Sequence, residues 1–196
     1  MLKHLAGANT RLLGWAQKGS LWLARVGGIL LFATVAMITI NIVTRSLFGF
    51  SLLPSTEYSG YVLALCSSWA FAHALLDKAH IRIDVAYLQL PRAMRAALDI
   101  LALLAFLLFA IVVGRAAWSV AAESFARGSL SNTPMKTPLW IPQGLWVLGL
   151  VWFGLVALLL LARVVLAALD HDHATIQRLA GSSTLDEQIG SDGAEP

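Results

Sequence analysis

The residues of this chain that could do chemistry are few and scattered. It has five histidines and one cysteine in 196 residues. His73 stands alone inside a long apolar stretch, whereas a bis-histidine haem needs a second ligand at matching depth on a facing helix. Cys66 lies in the same stretch; a lone thiol forms no internal disulfide and reads as a small packing residue. His171 and His173 alternate with Asp170 and Asp172 near the end of the sequence, without a second ligand cluster to complete a metal site. The sequence shows no glycine-rich phosphate loop, no Ser/His/Asp set in plausible reach and no paired carboxylates inside an apolar stretch. These observations predict a protein that is not an enzyme, with no catalytic residues, no substrate-binding residues, no metal site and no cofactor of its own.

The remaining polar residues of interest sit at the edges of apolar stretches. Glu57 opens one of them, where a carboxylate at a helix N-terminus is favoured by the helix dipole and Ser55 or Thr56 could serve as cap. Arg115 interrupts another, about 12 Å along a helix from Glu123 at roughly 1.5 Å per residue. Its charge either snorkels to the headgroups or pairs with a carboxylate of another subunit. In the run His80-Ile81-Arg82-Ile83-Asp84, polar and apolar residues alternate. That alternation suggests an extended or interfacial segment with its polar groups on one side, set against another subunit or neutralised by an Arg82 to Asp84 pairing.

The elements that position these residues are set by hydropathy. Four stretches, 21–43, 58–76, 96–122 and 139–169, are apolar enough to cross a bilayer, which takes about 20 residues of helix. Hydrophobic residues make up 58% of the chain and charged ones 13%, against about 25% charged in a soluble domain. The expected fold is all-α, a polytopic membrane protein with four transmembrane helices over 21–169. Lys and Arg concentrate on one side of the spans: Lys3, Arg11, Lys18, Arg25, Lys78, Arg82, Arg92, Arg95, Arg163 and Arg178, against Arg45, Arg115, Arg127 and Lys136. Cytoplasmic loops retain positive charge, so both termini are expected in the cytoplasm. The net charge of +3 is then a topology signal and not a nucleic-acid footprint.

Two flanking segments complete the organisation. Residues 1–20 form a cytoplasmic N-terminal segment, expected to be retained because no small-residue cleavage site closely follows the apolar run. Leu2, Leu5, Leu12, Leu13 and Trp15 beside Lys3, His4 and Arg11 suit either a short helix in the headgroup region or an unstructured leader. Residues 170–196, with six carboxylates and one Arg, read as a flexible acidic cytoplasmic tail.

Helix association in lipid depends on close backbone approach. Gly60, Ala64, Ser68 and Ala72 recur at four-residue spacing and form one stripe, expected to pack helices. Ala110, Gly114, Ala117 and Ala121 form a looser version. Trp15, Trp22, Trp118 and Trp140 fall near span edges, as membrane-interface rings do, while Trp69, Trp146 and Trp152 lie deeper and read as packing residues.

Glu57, Tyr61, the His80 to Asp84 run, Leu90-Pro91-Arg92 and Pro138-Leu139-Trp140-Ile141-Pro142 together resemble the small permease subunit (DctQ-type) of tripartite ATP-independent periplasmic (TRAP) transporters, in order from Leu21 to about Leu169. The resemblance implies a bacterial inner-membrane subunit that scaffolds a large multi-helix permease. That partner is expected to hold the sodium and substrate sites of an organic-acid transporter, and a periplasmic substrate-binding receptor to supply it. Glu57, Tyr61, His80, Arg82, Asp84 and Arg115 are then candidates for contacting or orienting the partner. Two other readings stand beside this one. The chain is a haem-bearing or structural membrane anchor of an electron-transfer complex, with His73 as ligand, or a free-standing protein that self-associates through its small-residue faces.

Overall fold

A computed structural model describes residues 2–50, 55–78, 90–133 and 135–169. They form four α-helices: α1 (Leu2–Phe48), α2 (Ser55–Leu76), α3 (Arg92–Ala126) and α4 (Trp140–Leu169). All four are long and apolar enough to cross a membrane, and among the described residues no strand forms. The expected spans at 21–43, 58–76, 96–122 and 139–169 each lie within one helix or begin one residue before it. The tail 170–196 and the run 80–84 lie outside the described residues.

The largest difference from hydropathy is at α1. The helix starts at Leu2 and continues without a break through the first span, 47 residues in all, or about 70 Å at 1.5 Å per residue. Nothing in the local sequence stops it. The first proline is Pro54, and the glycines before it each weaken a helix by only about 1 kcal/mol. Packing holds the early turns: Leu13 and Ala16 are buried in the same cluster as Leu160, Val164 and Ala167 of α4, and Asn9 Nδ2 donates to the Leu159 carbonyl oxygen at 3.4 Å. The helix ends at Gly49, whose φ of 75° is accessible to glycine at little cost.

The end of α3 is set by local chemistry. Gly128 takes φ 60°, its N–H donates to Phe125 O at 3.2 Å, and that of Ser129 donates to Ser124 O at 2.9 Å. This is the Schellman pattern, which satisfies carbonyls that a helix end leaves open. The chain then folds back on itself through an isolated antiparallel bridge between Leu130 and Pro138. Pro142 falls in the first turn of α4, where a missing N–H costs no helical hydrogen bond.

The helices alternate in direction, and α4 is the centre of the bundle. It packs against each of the other three; α1 pairs mainly with α2, while α3 is held chiefly by α4. Leu150, Phe153, Ala157, Leu160, Val164 and Ala167 are buried along α4 at alternating three- and four-residue intervals, the spacing of one helix face. Phe153, 2% exposed, is the central knob, with the rings of Phe71, Phe106 and Phe109 at 5.8, 6.2 and 6.4 Å. Away from this face the helices present apolar surface, as at Phe32 (78% exposed) and Leu108 (62%). Such surface is normal against lipid or another membrane subunit.

Candidate functional site

Polar side chains gather at the end of the bundle formed by the start of α2 and the turn joining α3 to α4. Tyr61 and Glu57 are one helical turn apart, and the Tyr61 hydroxyl donates to Glu57 Oε1 at 2.8 Å. The hydroxyls of Thr133, Ser131 and Thr137 gather around the same carboxyl group, while Glu57 Oε2 is shut off from water without a hydrogen bond of good geometry. The turn is tied internally: Ser131 N–H donates to Thr137 O at 2.9 Å, and the Thr133 N–H donates to Ser131 Oγ at 3.3 Å. Next to it, Asn41 Nδ2 of α1 donates to Ser55 Oγ at 2.9 Å. This arrangement fastens three elements of the bundle to one another. It brings together one carboxylate and several hydroxyls, which join α2 to the α3–α4 turn as a clasp does.

The opposite end of α2 carries His73, whose Nε2 lies 3.2 Å from Asp77 Oδ2, while Nδ1 is buried without a partner. The i, i+4 spacing on one helix face accounts for the contact. Among the described residues no group of three or more His, Cys, Asp and Glu is placed to hold a metal ion.

Arg115 is apart from both clusters. It is exposed on α3 and lines a groove between α3 and α4 with Leu107, Ile111, Gly114, Val151 and Leu155. Glu123, the nearest carboxylate along the helix, is engaged instead by Arg127 at 2.7 Å. A second apolar cleft, of about 490 Å³, opens between α2 and α3 over Phe153 and is walled by Phe71, Phe106 and Phe109.

The four-residue stripe divides in two. Ser68 and Ala72 are fully buried, whereas Gly60 and Ala64 are exposed and Gly60 faces open space. α2 crosses α4 at Ser68. His80, Arg82 and Asp84 lie outside the described residues.

The partner of Ser68 is Gly149. A Cβ added there would fall on the Ser68 side chain and 2.6 Å from Trp69 Cδ1. The sequence signal was present as Gly144, Gly149 and Gly154, but their five-residue spacing turns each about 140° from the last, so they form no stripe. Gly149 serves α2, and Gly154 serves α3, where an added Cβ would meet Ala110 Cβ at 3.4 Å. Gly27 lets α1 approach Cys66, whose Sγ donates to Gly27 O at 3.0 Å. Of the deep tryptophans, Trp152 Nε1 donates to Ser20 Oγ at 3.0 Å and Trp69 Nε1 to Leu145 O at 3.3 Å. Both tie helices together, which is a packing role.

Comparison with curated proteins and with solved structures returned no match. Residues 34–168 match the family described as tripartite ATP-independent periplasmic transporters, DctQ component. The matched region runs from inside α1 to the penultimate residue of α4 and takes in the packed core around Phe153 apart from Leu13 and Ala16 of α1. With four membrane-crossing helices and a match over more than half its length, the chain belongs to the DctQ family, the small inner-membrane component of TRAP transporters.

Proposed function

We propose that this chain is the non-catalytic scaffold subunit of a sodium-coupled, binding-protein-dependent secondary transporter for organic acids, with both termini in the cytoplasm. The carrying observation is the coincidence of the family match with a bundle whose polar groups fasten helices to each other. Its partners are a large permease subunit, which holds the sodium and substrate sites, and a periplasmic receptor. The scaffold works by adding fixed helical mass and membrane-embedded surface to the part of the permease that stays still. The broad apolar faces of α1 and α3 support that role, as do the cross-helix hydrogen bonds that tie α1, α2 and α4 at several depths.

Reconstitution tests this reading. Vesicles holding both membrane subunits, with receptor and a radiolabelled organic acid outside, should accumulate the acid only under an inward sodium gradient. Vesicles with the large permease alone should not. Equal uptake without this chain would remove the scaffold role, and uptake indifferent to sodium would remove the coupling. Cysteine accessibility in intact and permeabilised cells checks orientation, with labelling of both termini expected only after permeabilisation.

A further inference from the structure

The groove between α3 and α4 contains one charge in otherwise apolar surroundings. It measures about 420 Å³, and its floor is made by Ala110, Gly114 and Gly154. A Cβ on Gly114 would meet nothing within 4 Å, so a third helix laid there could bring its backbone close, the geometry by which helices associate in lipid. Arg115 borders this space and forms no ion pair or hydrogen bond with any described residue. Elsewhere among the described residues, His73 meets Asp77 and Glu123 meets Arg127.

A bare guanidinium in hydrocarbon is costly, and such residues pair or reach the headgroups. Reaching is opposed by the direction of the side chain. The nearer membrane edge, marked on α3 by the exposed Trp118, lies C-terminal to Arg115 by three residues, about 4.5 Å along the axis. The Cα–Cβ bonds of a helix tilt toward its N-terminus, which in α3 points away from that edge. The other α3 residues of the groove, Leu107 to Gly114, all lie on that N-terminal side. Among its described carboxylates, a second copy of this chain would present Glu57, Asp77 and Glu123 only near helix ends, and its Asp99 is 4% exposed within α3.

We propose that this groove seats a membrane helix of the large permease subunit, and that Arg115 pairs with an Asp or Glu on that helix. The inference rests on the reading of the chain as the small subunit of a two-part permease. Its test uses the intact complex, with benzoylphenylalanine placed at Val151 in the groove or, as control, at Phe32 on α1. Light should join position 151 to the large subunit, within a peptide that holds a carboxylate. Arg115→Glu should lower recovery of the complex roughly tenfold, Arg115→Lys should retain most of it, and changing the mapped carboxylate to Lys should restore the Arg115→Glu complex. Monodisperse elution of each variant expressed alone separates lost docking from lost folding. Cross-links from 151 only to lipid or to a second copy, or undiminished recovery with both Arg115→Leu and Arg115→Glu, would overturn the proposal while leaving the subunit assignment intact. Failure of the wild-type chain to co-purify with any large permease would remove both.

Discussion

At the scale of residues, the sequence marks which side chains are unusual but not what they touch. Glu57 is recognisable as a carboxylate at the mouth of a span, and Tyr61 as its neighbour one turn on. The hydroxyls of Ser131, Thr133 and Thr137 around the same carboxyl come from a turn about 75 residues away, and no local pattern signals that meeting. Glu57→Ala should therefore loosen that turn: amide exchange over 129–139 should speed up while exchange in the core of α4 stays unchanged. The Trp152 to Ser20 hydrogen bond is of the modest kind found between membrane helices. Trp152→Phe and Ser20→Ala should each cost about 0.5–1.5 kcal/mol in detergent unfolding, and the double variant should cost less than the sum of the two. His73 is occupied by Asp77, and the purified protein should show no Soret band. A stoichiometric Soret band that His73→Ala abolishes would revive the electron-transfer reading.

At the scale of elements, the existence and order of the four helices are legible because a bilayer demands runs of apolar residues of a set length. Their ends are less legible, since hydropathy marks where the oil stops and not where backbone hydrogen bonding stops. α1 and α3 both run on past Lys and Arg residues for that reason. Spin labels at Leu12 and Ile42, exposed positions 30 residues apart on α1, should sit about 45 Å apart if the helix is continuous. A helix lying in the headgroups and turning into the span would give a clearly shorter distance. The crossing of α2 over α4 at Ser68 and Gly149 makes a second prediction. Gly149→Ala should destabilise the bundle by about 1–3 kcal/mol through overpacking, and Ser68→Gly should recover part of the loss because the Ser68 side chain is the first atom group met.

At the scale of the whole molecule, the helices do not share their contacts equally. α4 touches all three others, α1 and α2 hold each other, and α3 depends on α4. This asymmetry bears on biogenesis. α1 and α2 can associate as a hairpin as soon as both have left the ribosome, whereas α3 reaches the membrane before the helix it packs on has been made. It also arrives with Arg115 unpaired. A chain truncated before Trp140 should keep a protease-resistant α1–α2 pair and lose α3 to membrane proteolysis; equal lifetimes for the two parts would show that α3 has another early partner. The last of the four helices to be synthesised is thus the one that completes the bundle, so any pause in translation between Ala126 and Trp140 leaves a half-built protein exposed to quality control at its most vulnerable point.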